Sequence, residues 1–304
     1  MLIFLCDFIN RYIFLVYKKG KSVIKGQLFL CSLPIGNRQD ITLRVLQALR
    51  DAKYIYAEDT RSIRVVMAQN NISLNGKNIL SYHDKSSSKE LDKIIRILNE
   101  GSDIYYFSDA GSPVVSDPAF PLVRLAYDNQ ISINSLPGPC SIISAIELAA
   151  VPTIPFSFCG FLPREASKIE KLLDEMRVIS GTFVCFESPR RIASLVSLLR
   201  NRISDHSFPD MVCFIREITK KNQQVIRLNK FSFESGIDEL IELGEFVIIF
   251  YYERVNKKSL KNPELKRYCQ EMLEQGVSRK KLSKLFAEIT GESAKSVYQD
   301  LKIK

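Results

Sequence analysis

From residue 27 onward, the hydrophobic and polar positions of the chain alternate between two patterns. Short apolar runs predict buried strands at residues 28–33, 53–57, 79–83, 104–107 and 131–136. Between several of these runs, apolar residues recur three and four positions apart, which predicts helices, for example over residues 40–52 and 120–127. Strands that alternate with helices in this way are typical of an α/β fold with a mainly parallel sheet.

The second half of the chain contains the same elements in a different order. The segment Pro137-Gly138-Pro139-Cys140 interrupts the pattern and precedes a predicted helix over residues 141–150, so we predict a domain junction there. Further along, strand-like runs follow one another closely at residues 211–218, 223–228 and 246–252. Consecutive strands predict antiparallel pairing. The expected organisation is therefore an α/β domain over residues 27–136 and an α+β domain over residues 137–253.

Polar residues before the apolar helical segments predict where individual helices begin. Asp40 is the predicted N-cap of the first helix. The pairs Ser87 with Glu90 and Ser167 with Glu170 have the spacing of a capping box, in which each side chain bonds a backbone amide of the other residue.

Residues 254–304 form a basic tail, with 13 basic residues against 6 acidic ones. This segment holds a net charge of +7 out of the chain's +9. Helices are predicted over residues 263–275, 278–290 and 293–303, with Ser278 and Ser293 as N-caps and Gly276 and Gly291 as stops. Short helices with basic faces resemble a helix-turn-helix module, and concentrated positive charge favours nucleic-acid contact. A solvated helical tail is the alternative.

Two further features limit the possible functions. Residues 1–26 are strongly apolar but interrupted by Asp7, Asn10 and Arg11, which argues against a secretory signal and against a membrane span. Three interpretations of these residues stay open: an extra helix, a membrane-surface segment, or a reading frame whose start was assigned too far upstream. The seven cysteines contain no CxxC pair and the chain has only two histidines, which argues against a zinc site and favours a reduced, cytoplasmic protein.

Residues 107–118 form the strongest candidate for a ligand-binding loop. They join a predicted strand to a predicted helix, the arrangement in which α/β folds bind ligands at the carboxyl ends of strands. Gly111 lets the backbone approach a ligand and Pro113 stiffens the loop. Asp109 and Asp117 add acceptors that suit hydroxyls, amines or a sulfonium. An ordinary turn remains the alternative for this loop taken alone.

Eight segments of the chain read as short motifs. In chain order they are residues 33–37 (LPIGN), 57–61 (AEDTR), 81–83 (SYH), 108–118, 137–140 (PGPC), 160–163 (GFLP), 187–191 (ESPRR) and 216–220 (REITK). Taken together, they resemble one family, the ribosomal RNA small-subunit methyltransferase I group of the tetrapyrrole-methylase-like (class III) methyltransferases. The resemblance covers residues 27–253 and continues into the basic tail. It implies methylation of a ribose 2′-hydroxyl on a decoding-centre cytidine of 16S rRNA or the 30S subunit, with S-adenosylmethionine as cofactor. It also implies two α/β domains with the cofactor in the cleft between them, in a cytoplasmic homodimer without integral membrane association.

The resemblance assigns candidate roles to individual residues. Cofactor binding is expected from Pro34, Gly36, Asn37, Asp109, Ala110, Gly111, Ser112, Pro113, Ser116, Pro137, Gly138, Pro139, Cys140, Ser141 and Glu187. The catalytic or substrate-orienting candidates are Glu58, Asp59, His83 and Lys220, and no metal is expected. RNA contacts are expected from Arg61, Arg190, Arg191, Arg279, Lys280, Lys281 and Lys284. For the acidic pair the structural alternative is a salt bridge with Arg61 or Arg64, and for His83 it is a hydrogen bond at a strand end.

The chain departs from the family pattern at four places, and two other functions stay open. The departures are Leu33 before Pro34, Ala119 after Ser-Asp-Pro, Arg190 in place of a histidine, and Gln223-Gln224 in place of an acidic residue. One alternative is a small-molecule methyltransferase of the tetrapyrrole or diphthamide type, for which a Gly-x-Gly-Pro-Gly loop would be expected. The other is a catalytically inactive RNA-binding assembly factor.

Overall fold

The computed structural model describes residues 24–83, 88–204, 207–253, 263–290 and 293–301. The first sheet is entirely parallel, in the order β3-β2-β4-β1-β5. Its strands are β1 (Leu28–Cys31), β2 (Tyr54–Ala57), β3 (Asn78–Ser81), β4 (Ile104–Phe107) and β5 (Ile133–Leu136). The helices that connect them are α1 (Leu43–Asp51), α2 (Thr60–Gln69), α3 (Ser88–Asn99) and α4 (Phe120–Asp128). The predicted parallel α/β arrangement is confirmed.

The apolar runs form strands because they are buried on both faces of the first sheet. Tyr106 and Leu28 face one core, and Phe107 and Cys31 face the other, all with no exposed surface. Alternate residues of a strand point to opposite faces, so a continuous apolar run suits a sheet covered by helices on both sides. Consequently, the carboxyl ends of β1, β2 and β4 lie side by side, and their loops emerge together.

The second sheet is mixed, in the order β6-β7-β10-β8-β9. Its strands are β6 (Phe156–Phe161), β7 (Gly181–Glu187), β8 (Met211–Arg216), β9 (Gln224–Leu228) and β10 (Phe246–Tyr252). Strands β6 and β7 run parallel, whereas β10 pairs antiparallel with β7 and β8, and β8 with β9. The helices of this part are α5 (Ser141–Ala149), α6 (Ala166–Ile179), α7 (Ile192–Ser204) and the single turn α8 (Phe233–Gly236). The predicted antiparallel pairing of the last three strands is confirmed.

Two predicted helix starts are wrong, and one lies outside the described residues. Helix α1 begins after Thr42, whose hydroxyl accepts from the Val45 amide, because residues 38–40 form a separate 3₁₀ turn that includes Asp40. Helix α6 begins after Glu165, so Ser167 lies inside the helix and caps nothing. The Ser87 capping box falls in residues 84–87, outside the described part of the chain.

The tail contains α9 (Pro263–Glu274), α10 (Arg279–Thr290) and α11 (Ala294–Asp300). They share a small apolar core of Cys269, Leu282, Phe286, Val297 and Leu301. The Ser293 hydroxyl accepts from the Ser296 amide, which confirms that predicted cap, and Gly276 has the left-handed φ of +86° that suits a helix stop. The predicted stop at Gly291 and most of the apolar extension, residues 1–23, lie outside the described residues. No helix in the described part of the chain has the length and apolar character to cross a membrane.

Candidate active site between the two sheets

The loop that follows β1 contacts the loop that follows β8, residues 217–220. The Asn37 amide donates to the Thr219 hydroxyl oxygen across 3.0 Å. A Cβ on Gly36 would lie 2.6 Å from the Lys220 Cγ and 2.7 Å from the Thr219 Oγ1, so only glycine allows this approach. Glu217 and Thr219 both have left-handed φ values, +52° and +66°, a strained conformation that is concentrated at functional sites.

The loop after β4 folds back onto the loop after β1. Leu33 and Gly111 exchange two backbone hydrogen bonds of 3.1 and 2.9 Å. The buried Ser108 hydroxyl donates to the Gly111 carbonyl at 2.6 Å, and Gly111 itself has a φ of +69°. Asp117 accepts from the Tyr106 hydroxyl at 3.0 Å and from the Ala119 amide at 2.9 Å. These bonds tie the 108–117 loop to β4 and to the loop after β1.

A cavity of about 380 Å³ lies between the two sheets. One wall comes from the loop after β4 and from the start of α5, and the other from the ends of β7 and β10. The predicted cofactor residues that line it are Ala110, Gly111, Ser112, Ser116, Cys140, Ser141 and Glu187. The apolar part of the lining includes Ile35, Phe161, Phe186 and Val247. A largely apolar cleft with a few convergent polar groups is the usual form of a cofactor site.

Glu187 is the most deeply buried charged group of this cavity. Its side chain has no exposed surface, and it forms a 2.6 Å ion pair with Arg191. The Oε1 atom also accepts from the Ser188 amide, whereas the buried Oε2 atom has no hydrogen-bond partner. Burial raises the pKa of the carboxyl, although the Ser188 amide and Arg191 act in the opposite direction. A buried acceptor without a partner calls for an explanation, and a ligand donor from the cavity is one candidate.

A second cavity, of about 510 Å³, adjoins the first. Ile35, Ala110 and Glu245 line both cavities. The predicted site residues on its lining are Pro34, Gly36, Arg61, Asp109, Ala110 and Lys220. Two other lining residues, Arg38 and Glu245, were not predicted from the sequence. Since neither belongs to a motif, only the folded structure identifies them.

Lys220 is held by two carboxylates at the border of the cavities. Its Nζ atom lies 3.0 Å from Glu217 and 3.1 Å from Glu245. Burial lowers the pKa of the Lys220 ammonium, but the hydrogen bonds and charges of Glu217 and Glu245 outweigh burial and leave it raised. Lys220 is therefore a cation at neutral pH, suited to bind or orient an anion rather than to accept a proton.

Three of the predicted catalytic residues lie away from the described lining of both cavities. Asp59 caps α2 and pairs with Arg61 at 2.6 Å, which is the structural alternative foreseen for it. This bonding with Arg61 lowers the pKa of Asp59 and makes the carboxylate a weaker base. Glu58 and His83 follow β2 and β3, and neither is among the lining residues. Of the four catalytic candidates, Lys220 alone belongs to the described lining of these two cavities.

Five predicted cofactor residues are absent from the described lining of both cavities. They are Asn37, Pro113, Pro137, Gly138 and Pro139. Asn37 accepts from the Gln39 amide and donates to Thr219. A Cβ on Gly138 would lie 2.9 Å from the Ser32 Cβ, so glycine permits close packing of this segment against the end of β1.

The predicted RNA-contacting residues differ in whether their side chains are exposed to solvent or packed against other parts of the protein. Arg61, Arg190, Lys280, Lys281 and Lys284 are exposed. Arg191 instead turns inward, where it pairs with Glu187 and donates to the carbonyls of Pro163 and Leu162 at 2.7 and 3.0 Å. Arg279 stacks on Tyr298, 4.2 Å from the ring centre. Arg191 and Arg279 thus have structural roles that the sequence did not predict.

Comparison with known proteins places the chain in a family. The model of the Tetrapyrrole (Corrin/Porphyrin) Methylases matches residues 27–231. A ribosomal RNA small subunit methyltransferase I from Hydrogenobaculum sp. is 34% identical over 233 residues, covering 75% of this chain and 96% of the relative. The chain belongs to the ribosomal RNA small subunit methyltransferase I family. A Rickettsia prowazekii relative of the same name is 29% identical over 290 residues, 92% of this chain and 96% of its own.

Among solved structures, a diphthine synthase matches this methyltransferase with a TM-score of 0.54 at 15% identity, covering 74% of this chain and 89% of its own. That likeness shows the tetrapyrrole methylase fold. The cofactor of the methyltransferase is S-adenosylmethionine. The first cavity fits S-adenosylmethionine in two respects. The buried Oε2 atom of Glu187 has no hydrogen-bond partner, and the carboxylates of Glu187 and Glu245 suit a cationic ligand.

Proposed function

We propose that this methyltransferase transfers the methyl group of S-adenosylmethionine to the ribose 2′-hydroxyl of a cytidine in the RNA of the small ribosomal subunit. The observation that supports it best is the pair of adjoining cavities. The first is largely apolar, and the second is lined by the cations Arg38, Arg61 and Lys220. A cation-lined cavity beside a cofactor cavity suits a phosphate-bearing substrate. The relatives are named ribosomal RNA small subunit methyltransferase I, which supports ribosomal RNA as that substrate.

The residues of the chain would act mainly by positioning. When bound, S-adenosylmethionine supplies an electrophilic methyl group. Ala110 and Ile35, shared by both cavities, form the boundary across which the hydroxyl must approach. Holding two reactants in line replaces a bimolecular encounter and accounts for a large part of a methyl transfer rate. Lys220, fixed by Glu217 and Glu245, would orient the phosphate or ribose.

Transfer of labelled methyl groups tests the proposal. Purified protein is incubated with tritiated S-adenosylmethionine and either 30S subunits or naked 16S rRNA, prepared from cells that lack the corresponding gene. We expect label in the RNA, and a 2′-O-dependent stop at one cytidine during primer extension at low nucleotide concentration. Absence of label on both substrates would reject the reaction and favour an inactive RNA-binding factor. Label at a base, or on a small molecule only, would reject the 2′-O assignment.

The domain boundaries, the homodimer and the cytoplasmic location implied by the family resemblance stay predictions. Analytical ultracentrifugation of the full chain tests the dimer. A single species at the mass of one chain, 34.7 kDa, across micromolar concentrations would contradict it.

A further inference from the structure

The second cavity has an unusual wall formed by one face of α2. Ser62, Val65, Val66 and Gln69 line it at the spacing i, i+3, i+4 and i+7, so they lie on the same side of the helix. Val65 is 52% exposed, although it is apolar and faces a cavity with cationic residues. An apolar patch beside cations matches a ligand that has a flat apolar part and an anionic part.

The three cations of this cavity differ in how their charge is compensated. Arg61 pairs with Asp59 at 2.6 Å, and Lys220 pairs with Glu217 and Glu245. Arg38 lies on the 3₁₀ turn after β1 and is exposed. Among the described residues, no ion pair or side-chain hydrogen bond is recorded for its guanidinium. Arg38 is thus the cation with the most freedom to bind an external anion.

We propose that the second cavity is a nucleoside monophosphate subsite, in which Arg38 binds the phosphate and the Val65 face of α2 supports the base. Guanidinium groups bind phosphate through paired, charge-assisted hydrogen bonds. The ribose then lies toward Ala110 and Glu245, the residues shared with the first cavity. The subsite rests on the proposed function, which requires a nucleotide beside the cofactor. Its volume of about 510 Å³ lies within the range typical of small-molecule sites.

Binding of cytidine and of cytidine 5′-monophosphate to the full chain, saturated with S-adenosylhomocysteine, tests the subsite. We expect the monophosphate to bind more tightly than the nucleoside in the unchanged protein. Arg38→Ala should reduce its affinity roughly tenfold and leave nucleoside affinity unchanged, as expected for loss of a charge-assisted bond. Arg50→Ala, an exposed arginine on α1 that lines neither cavity, is the matched control and should change nothing.

A pair of substitutions at Val65 gives a second, independent measurement. Val65 is half exposed on a helix, so Val65→Glu and Val65→Lys should both fold, which melting curves will show. The glutamate should weaken monophosphate binding at least tenfold relative to the lysine, because only their charges differ in sign. Equal effects of these two substitutions, or equal behaviour of Arg38→Ala and Arg50→Ala, would overturn the subsite.

The outcome is separable from that of the proposed function. Monophosphate binding that depends on Arg38, without methyl transfer to ribosomal RNA, would retain the subsite and reject the function. Two other results would together retain the function and reject the subsite. One is methyl transfer to ribosomal RNA at an unchanged rate in Arg38→Ala, and the other is equal affinity of the protein for cytidine and for cytidine 5′-monophosphate.

Discussion

Two adjacent arginines, Arg190 and Arg191, allow a structural role to be separated from an RNA-binding role. Both stand in one motif, but Arg190 is exposed while Arg191 pairs with the buried carboxylate of Glu187. We predict that Arg191→Ala strongly destabilises the fold and that Arg190→Ala does not. Arg190→Ala should instead weaken binding to 30S subunits, and by more at low salt than at high salt.

The magnitude follows from the surroundings of the pair. The Glu187 side chain has no exposed surface and that of Arg191 is 27% exposed. Removing Arg191 leaves the carboxylate with only the Ser188 amide, and it also removes the donors to Leu162 and Pro163. Breaking a buried pair from one side costs about 3–5 kcal/mol. Loss of an exposed side chain such as Arg190 typically changes stability by less than about 0.5 kcal/mol.

The destabilisation should depend on pH, with a definite sign. Burial raises the folded-state pKa of Glu187 above its unfolded value. A carboxyl with a raised pKa contributes stability that is fully present below the unfolded pKa and is lost as pH rises through the folded pKa. Without Arg191 the folded pKa rises further, so this loss is larger and extends to higher pH. Arg191→Ala should therefore differ least from the unchanged protein near pH 4 to 5 and most above neutrality.

Urea unfolding at several pH values measures these effects. The chain has no tryptophan, so far-UV circular dichroism is the appropriate signal. Equal free energies of unfolding for the two alanine variants would refute the assigned burial of the pair. A large loss for Arg191→Ala that is independent of pH would show that the two carbonyl contacts, rather than the charge of Glu187, account for it.

Three further changes test other contacts. Gly36→Ala should lower the melting temperature, because its Cβ would lie 2.6 Å from the Lys220 Cγ; calorimetry that shows no decrease contradicts the contact. Glu217→Gln should lower the free energy of unfolding by up to about 1 kcal/mol above pH 5. The pKa of Glu217 is lowered in the folded protein, so this difference should disappear as the pH falls through that pKa. Urea titrations across pH 3 to 7 should show the two free energies converging. Deleting residues 254–304 should lower RNA affinity and make that affinity less dependent on salt, as measured by filter binding, and it should leave cofactor affinity unchanged. Unchanged RNA affinity would contradict the role of the tail.

The sequence predicted best those elements whose burial is uniform. Strand β4 was predicted with the bounds that the structure has, because every residue of Ile104–Phe107 packs between helices and the apolar run has no ambiguous end. Helix starts were predicted less well, since several polar residues compete as caps. Asp40 and Thr42 both precede α1, but Asp40 belongs to the separate 3₁₀ turn, which leaves Thr42 as the cap.

The candidate site was predictable as a set of loops but not as a set of roles. Strand order brings the loops after β1 and β4 together, and any parallel sheet with this pattern would do so. The roles depend on contacts between distant parts of the chain. Asn37 and Thr219 are 182 residues apart, and their hydrogen bond exists only because the two sheets pack with these loops facing each other. Lys220 was predicted from its motif as a catalytic or substrate-orienting residue. In the structure, Glu217 and Glu245 raise its pKa and keep it protonated, which suits orientation of an anion rather than proton transfer.

The same reasoning explains why Arg38 was missed and Arg191 misjudged. Both are arginines in the segment that follows a strand, and charge alone favours RNA contact for each. What separates them is the position of the nearest carboxylate. Glu187 ends β7 four residues before Arg191 and is buried, so it draws the guanidinium inward. Within the described residues, no carboxylate forms an ion pair with Arg38, so its guanidinium stays available at the second cavity.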